Sequence, residues 1–235
     1  MTTYHQIVLK CPNCSTLMSA YDLMSYTVHD AESWSDGRTG FGIPSVDRIG
    51  ICAVCRLPFW KDDAKLPDDP DWQPHEDLAS VMDMYDLEWR FDDDRDVKTI
   101  DYFKGLLEDG FTDTDDKEFY VRTQLWWAIN DLTRYRGGYR SVRNLRMLNA
   151  LLNHRRESKK LFNTYRDLLH DNIERLIFLF IKGGEPDLLY LAEMYRETGD
   201  FSKALEILDK VERHDRTWRK IKKMTRRKDS RVFKL

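Results

Sequence analysis

All four cysteines of the chain lie in two CxxC pairs, Cys11 and Cys14 in KCPNCS and Cys52 and Cys55 in GICAVCR. A two-residue spacer lets both thiolates of a pair point at one ion, and two pairs can complete a tetrahedron of sulfur ligands around Zn²⁺. Such a site has no coordination position left for water, so the metal would support the fold rather than catalyse a reaction. The sequence therefore predicts one structural zinc ion held by these four residues.

Other uses of the cysteine pairs remain open at this point. An iron site of the rubredoxin type has similar ligand spacing, and cysteines in an oxidising compartment form disulfides. A redox-active CxxC would need a thioredoxin-like βαβ context, which the flanking sequence lacks. The N-terminus MTTYHQIVLK lacks the pattern of a signal peptide, and no run of about 18 apolar residues occurs. We therefore expect a cytoplasmic protein without a transmembrane segment, in which thiols stay reduced and metal binding is favoured.

A short β-type segment precedes each cysteine pair, YHQIVLK in the first case and DRIGI in the second. This repetition is typical of a zinc ribbon, because each CxxC must lie on a tight turn whose backbone N–H groups face the thiolates. The 37 residues between the pairs include ESWSDGRTGFGIP, in which Asp36-Gly37 is a strong turn signal. We predict a zinc-ribbon domain over residues 1–66 with an inserted hairpin.

The rest of the chain is predicted to be helical. A segment rich in proline and aspartate indicates a linker over residues 67–75. Beyond it, apolar residues recur at spacings of three and four, as in Leu145, Leu148, Leu151 and Leu152. The predicted helical segments are 76–90, 97–109, 117–135, 140–154, 158–181, 187–198 and 201–213. The expected fold class is α+β, with a small β-rich zinc ribbon followed by an all-α domain over 76–235.

The segment 187–211, DLLYLAEMYRETGDFSKALEILDKV, closely resembles a tetratricopeptide repeat. Ala192 and Ala204 are small where the two helices of such a pair approach, and Gly199-Asp200 lets the chain turn back between them. The resemblance implies a helix pair and a protein-interaction scaffold, since these repeats form concave peptide-binding surfaces. The alternative is that this pair only completes a helical domain.

Two neighbouring tryptophans, Trp126 and Trp127 in LWWAIND, lie within a predicted helix. Adjacent side chains on a helix cannot both face one core, so one of them could face a protein partner. Together with Tyr195 of the tetratricopeptide-like pair, they are the predicted partner-binding residues. Ordinary packing is the alternative explanation.

Residues 213–235 form a basic tail with 11 lysines and arginines against only Asp215 and Asp229. These cations could neutralise phosphates, with Trp218 available to stack on a base. The tail could equally form a helix that caps the helical domain, pair with the acidic segment 88–96, or meet a membrane surface. The candidate nucleic-acid-binding residues are Trp218, Arg219, Lys222, Lys223, Arg226 and Arg227.

The net charge of −3 conceals two halves of opposite sign. Residues 1–120 carry 11 basic and 26 acidic residues, a net charge of −15, whereas residues 121–235 carry +12. Such a chain could dock its halves on each other, self-associate, or present its basic half to an acidic partner. Catalysis finds little support, because the sequence contains no G-x-S-x-G, phosphate-binding glycine loop or H-E-x-x-H motif.

The order CPNC, WSDG, CAVC followed by FW, WWAIND and a tetratricopeptide-like C-terminus resembles bacterial zinc-ribbon proteins with a helical C-terminal domain. The resemblance implies a fold but no activity. From the sequence we predict a non-enzymatic adaptor that binds another protein or a second copy of itself. The alternative is a nucleic-acid-binding protein that uses the zinc ribbon and the basic tail, and a third possibility is an enzyme with an unrecognised site.

Overall fold

The computed structural model describes the following residues of the chain: 3–25, 32–39, 47–66, 78–82, 94–134, 143–212 and 214–235. These residues form four strands and eight helices, and the α+β class predicted from the sequence is confirmed. They belong to two compact units. The first contains the described residues 3–25, 47–66 and 78–82, and the second contains residues 32–39 and all described residues from 94 onward.

The elements are numbered in chain order. The strands are β1 (Thr3–Lys10), β2 (Leu17–Ser25), β3 (Ile49–Ile51) and β4 (Pro58–Trp60). The helices are α1 (Lys61–Ala64), α2 (Arg95–Glu108), α3 (Asp115–Arg134), α4 (Leu145–Thr164), α5 (Arg166–Lys182), α6 (Leu188–Thr198), α7 (Phe201–Leu208) and α8 (Arg216–Arg226).

The first unit consists of two antiparallel ribbons, β1–β2 and β3–β4, each of which carries one cysteine pair in its connecting turn. In the first ribbon Leu9 lies opposite Met18, and in the second Gly50 lies opposite Phe59. Leu9, Met18 and Phe59 are buried in one apolar cluster. Ile7 and Leu9 of β1 and Met18 and Ala20 of β2 lie at alternate positions, so the face of the ribbon that they share packs in this cluster.

An extended segment, residues 78–82, connects the two ribbons. The N–H of Ser19 in β2 donates to the carbonyl of Ala79 at 3.0 Å, and Ile51 in β3 exchanges backbone hydrogen bonds with Met82 at 2.7 and 3.1 Å. The prediction of a helix over 76–90 is therefore wrong for 78–82, because these backbone groups bond to neighbouring strands. The predicted linker 67–75 and residues 83–93 lie outside the described residues.

The second unit is built around α3, which packs against α2, α4 and α5. Its Leu125, Trp126 and Ile129 side chains are completely buried. In the helix pair α6–α7, α6 packs against α5, and both helices pack against α8. Helix α8 therefore closes the end of the helical unit. In the described part of the chain, no helix combines the length and hydropathy needed to cross a bilayer.

The tetratricopeptide-like segment forms two helices separated by one turn. Gly199 ends α6 with φ +89°, a left-handed conformation that glycine adopts without a steric cost. The carboxylate of Asp200 then accepts the N–H of Lys203 and caps α7. Ala192 and Ala204 are fully buried, where larger side chains would separate the helices.

Residues 32–39 cluster with the helical unit, although their sequence lies between the two cysteine pairs. The turn indicated by Asp36-Gly37 is present: the N–H of Trp34 donates to the carbonyl of Arg38 at 3.0 Å, and Gly37 has φ +79°. No local pattern in the sequence indicates that this turn clusters with the helices rather than with the ribbons. The physical reason is the burial of the Asp36 side chain, described below.

Candidate metal centre

The two cysteine pairs lie on turns of the same backbone geometry. In each turn, the N–H of the first cysteine donates to the carbonyl five residues later, and its carbonyl accepts the N–H four residues later. The bonds are Cys11 to Thr16 and Ser15 to Cys11 at 2.9 Å each, and Cys52 to Leu57 at 3.1 Å and Arg56 to Cys52 at 2.9 Å. The residue after each pair, Ser15 or Arg56, has a positive φ of 62° or 63°. Each turn is therefore a knuckle that directs both sulfurs of its pair to one side.

The four sulfurs meet at one point of the first unit. The Sγ atoms of Cys11 and Cys55 are 3.8 Å apart, those of Cys14 and Cys52 are 3.6 Å apart, and all four lie within 4.8 Å of one another. Four sulfurs bound tetrahedrally at about 2.3 Å from a zinc ion would be about 3.8 Å apart. The residues present therefore fit a single four-sulfur metal site, with ligands from both knuckles.

Burial and hydrogen bonding make the four thiols unequal. Cys11 and Cys52 are buried in the apolar cluster of the first unit, whereas Cys14 is exposed. The Thr16 hydroxyl, 3.2 Å from the sulfur, and the Thr16 backbone lower the pKa of Cys14 to about 6. The Leu57 backbone lowers the pKa of Cys55, but burial and the neighbouring thiols raise it to about 12 overall. A cation at the centre would favour the thiolate form of all four, so metal binding would release protons.

A second group of potential ligands, His170, Asp171 and Glu174, occurs on α5. All three side chains are exposed, and the imidazole Nδ1 of His170 lies 3.5 Å from the Glu174 carboxylate one helical turn away. Exposed groups at this spacing are common on helices without any metal. This group therefore gives no indication of a site.

The predicted partner-binding residues differ in accessibility. Trp126 is completely buried, and its indole N–H donates to the carboxylate of Glu197 at 2.8 Å. Trp127 is half-buried and donates to the backbone carbonyl of Asp36 at 2.9 Å. Tyr195 is also half-buried. Trp126 therefore has no surface to offer a partner, whereas the other two retain some.

A buried ion pair fixes the turn of residues 32–39 in the helical unit. The Asp36 carboxylate accepts two hydrogen bonds from the guanidinium of Arg134, at 2.8 and 2.5 Å, and both side chains are fully buried. Asn130 donates a third bond to Asp36 at 3.0 Å, and Asp131 accepts from Nε of Arg134. Burial opposes the charge of Arg134, but Asp36 and Asp131 raise its pKa above the ordinary value. The sequence indicated only a turn at Asp36, and no local pattern revealed this partner.

Glu197 extends the same buried network. One of its carboxylate oxygens accepts hydrogen bonds from Trp126 and Asn130, at 2.8 and 2.9 Å, and the other has no hydrogen-bond partner among the described residues. Burial, reinforced by the nearby charges of Glu193 and Asp36, raises the pKa of Glu197 well above its ordinary value. Glu197 is therefore the acid of this network that is most easily kept neutral.

The C-terminal residues also contact the buried groups around Arg196 and Ser35. The buried guanidinium of Arg196 pairs with Glu193, donates to the backbone carbonyl of Asp229 and lies 5.2 Å from the centre of the Phe233 ring. The N–H of Ser35 donates to the carbonyl of Phe233 at 2.9 Å. Part of the basic tail is therefore a structural component of the helical unit.

The predicted role of Trp218 in stacking on a base is not supported by its surroundings. The His214 ring stacks on the indole with centroids 4.0 Å apart, and Nζ of Lys222 lies 4.4 Å from the indole centre. Two groups this close cannot share one face of the ring, so they cover opposite faces. The indole N–H donates to the carbonyl of Leu208 at 2.9 Å. Trp218 therefore fastens α8 to the end of α7.

Helix α8 has one apolar and one cationic face. Ile221 and Thr225 are buried, while the opposite face is exposed. A surface depression of about 440 Å³ on the helix is lined by the residues predicted to bind nucleic acid: Trp218, Arg219, Lys222, Lys223, Arg226 and Arg227. The structure thus brings all six together at one place, outside the four-cysteine centre.

Comparison with known proteins assigns no function to the four-cysteine centre or to the depression on α8. No protein-family model matches the chain, and no curated protein or solved structure matches it. The function is therefore argued from the four-cysteine centre and from the exposed surfaces of the two units.

Proposed function

We propose that this chain is a non-enzymatic interaction protein whose N-terminal unit is held together by one structural zinc ion. The observation that supports it best is the closed set of four sulfurs, 3.6 and 3.8 Å apart across the two knuckles. A cation bound by four cysteines has no free position at which a substrate or a water molecule could react. The metal would then act on stability, and the protein would act through its surfaces.

The metal proposal is tested by native mass spectrometry of freshly purified protein. We expect one zinc per chain, and we expect Cys52→Ser to lose it. The His170→Ala variant serves as a control and should keep the same metal content, because His170 is exposed on α5. Iron in place of zinc would change the identity of the metal and keep the four-sulfur site. Wild-type protein without any metal would refute the proposal.

Removal of the metal has a second expected effect. Cys11 and Cys52 belong to the apolar cluster that contains Leu9, Met18 and Phe59. Because metal binding and folding are coupled in small four-cysteine units, chelation should abolish amide exchange protection in β1 to β4. Hydrogen exchange followed by mass spectrometry measures this directly. Unchanged protection of these strands after complete metal removal would contradict the structural role.

The first ribbon offers a surface for a protein partner. Tyr4 and Tyr21 are 55% and 59% exposed, and Leu17 is 41% exposed. The pairing of Tyr4 with Leu23 and of Gln6 with Tyr21 places both tyrosines on one face of the ribbon. Neighbouring exposed aromatic side chains are frequent at sites of protein interaction. We propose this face, with Trp127 and Tyr195 as further candidates on the helical unit.

Affinity capture with the immobilised full chain tests the adaptor function. We expect a partner, or a second copy of the chain, to remain bound at moderate salt, since an apolar surface is insensitive to screening. The Tyr4→Ser/Tyr21→Ser variant should lose this partner, whereas His5→Ser, on the other face of β1, should keep it. If the double variant still retains the partner, the interface does not lie on this face of the ribbon.

Nucleic-acid binding through α8 is a second candidate function, and one observation favours it. Within the described residues, Arg219, Lys223, Arg226 and Arg227 form no ion pair with a carboxylate, although they crowd the same depression. Cations that lack an ion pair and lie this close together favour a polyanionic partner. An affinity for nucleic acid that falls steeply with salt would support this function, and charge-removing variants are preferable to deletion because α8 packs against α6 and α7.

A further inference from the structure

The described cations of the C-terminal region differ in their partners. Three of them pair with carboxylates of the helical unit: Lys222 with Asp209, Arg231 with Asp229, and Lys234 with Glu32. A second group, Arg219, Lys223, Arg226 and Arg227, lines the depression on α8, is exposed and forms no ion pair with a carboxylate in the part of the chain that the structure describes, although Arg226 also acts electrostatically on Asp209. Lys222 and Lys234 tie the tail to the rest of the helical unit, whereas the second group is exposed to a ligand.

The second group forms a line along α8. Arg219, Lys223 and Arg226 are separated by four and three residues, which places them on one face, and Arg227 follows at the end of the helix. At a rise of about 1.5 Å per residue, this cationic line is roughly 12 Å long. Each of these four cations can contact one phosphate, so the line offers about four phosphate contacts to a nucleic-acid strand.

Among the described residues, no side chain on this surface is placed to recognise a base. The one described aromatic residue that lines the depression is Trp218, and both faces of its ring are covered, by His214 and by Lys222. The groups that remain are guanidinium and ammonium groups, which bind phosphate oxygens strongly and carry no sequence information by such contacts. Contacts of this kind position a backbone and do not specify a sequence.

We propose that α8 binds a nucleic-acid backbone through about four phosphate contacts that are electrostatic alone, without stacking on bases. This inference rests on the nucleic-acid-binding function proposed above as the second candidate. It assigns Arg219, Lys223, Arg226 and Arg227 as the phosphate ligands. Trp218 and Lys222 are assigned to hold the helix in place.

Fluorescence anisotropy with the full chain tests the inference. The probes are a labelled oligothymidylate and an abasic oligomer of the same length and charge. We expect equal affinity for both, and a slope of log affinity against log salt of about −2.8, from about −0.7 for each of four phosphates on a single strand. A preference for the oligothymidylate of more than about tenfold would show base contacts and overturn the inference, because tenfold corresponds to about 1.4 kcal/mol.

Charge variants identify the ligands. The Arg219→Gln/Lys223→Gln variant should reduce the magnitude of the salt slope by about 1.4, because two phosphate contacts are lost. Lys203→Gln/Lys210→Gln is the matched control, since it removes the same charge from residues that pair with Glu206. It should leave the slope unchanged. Equal effects of both double variants would assign the affinity to net charge and would overturn the site, provided that both variants keep the wild-type circular dichroism spectrum.

The remaining outcomes separate the inference from the function on which it rests. Binding to the oligothymidylate but not to the abasic oligomer would keep the nucleic-acid-binding function and refute backbone recognition. No binding to either probe at low salt would refute both. Binding to vesicles of phosphatidylserine and phosphatidylcholine, with no binding to oligonucleotides, would assign the cationic line to a membrane surface and would also refute both.

Discussion

The pair formed by Asp36 and Arg134 should dominate the stability of the helical unit around the turn of residues 32–39. In Asp36→Asn, the side chain keeps its shape but loses its charge, and its amide donor must face the donors of Arg134 or Asn130. Removal of one partner from a buried ion pair typically costs about 3–5 kcal/mol. Because Asp131 still accepts a hydrogen bond from Nε of Arg134, we expect the lower end of this range.

Urea denaturation followed by far-ultraviolet circular dichroism measures this loss, since the signal reports on α2 to α8. With an m-value of about 2 kcal/mol per molar, a loss of about 3 kcal/mol lowers the midpoint by about 1.5 M. Glu206→Gln is the control within the same unit. Its carboxylate pairs with Lys203 and Lys210 on the solvent-exposed surface, so the midpoint should stay close to that of the wild type.

A double variant separates the ion pair from general damage to the turn. In Asp36→Leu/Arg134→Met, no unpaired charge remains at either position, so the double variant should be less destabilised than the sum of the two single variants. Additive losses would show that the two side chains contribute independently. If Asp36→Asn lowers the free energy of unfolding by less than about 1 kcal/mol, the pair does not behave as a buried ion pair, because losses of that size are typical of exposed ion pairs.

Three further perturbations have expected outcomes. Gly37→Ala should destabilise the helical unit more than Gly199→Ala does. Both glycines have a positive φ, but a Cβ at Gly37 would also lie 2.8 Å from the Tyr190 ring, whereas a Cβ at Gly199 would meet no atom within 4 Å. Paired urea titrations measure the difference. Ser15→Gly should slow the loss of metal to a chelator by relieving a left-handed residue, whereas Asn13→Gly, where φ is not positive, should accelerate it. The raised pKa of Glu197 means that the folded state holds a proton that the unfolded chain releases above about pH 4.3. The contribution of Glu197 to the free energy of unfolding is therefore present at lower pH and is lost as the pH rises through the raised pKa. In urea titrations from pH 4 to 8, the stability of Glu197→Gln should fall less with pH than that of the wild type. An equal fall in both proteins would exclude Glu197 as the source of the pH dependence.

The four-cysteine centre was predictable because each part of it is local. A CxxC spacing fixes where the two sulfurs of one knuckle can point, and the two knuckles repeat the same hydrogen bonds around Cys11 and Cys52. Only the pairing of one knuckle with the other needed the fold, and the absence of further cysteines left no other choice. Helices with a regular apolar period, such as α3, were predictable for the same reason.

Boundaries between helices were less predictable. The sequence indicated a break near residue 155, but α4 continues to Thr164 and α5 begins at Arg166 after a single residue. Residues 78–82 were predicted to be helical, and they lie instead between two ribbons as an extended segment. In both places the apolar spacing is compatible with more than one structure, and packing against neighbouring elements decides between them.

The sequence by itself determined the two cysteine pairs, the α+β class and the turn at Asp36-Gly37, because short spacings and turn residues act over a few positions. Only the tertiary structure decided that Asp36 is buried against Arg134, 98 residues away, since an ion pair between distant residues leaves no local pattern. It also decided which of the described cations of the tail form ion pairs. Lys222 and Arg219 look alike in the sequence, but among the described residues Lys222 meets a carboxylate and Arg219 does not, and that difference depends on the position of Asp209 at the end of α7.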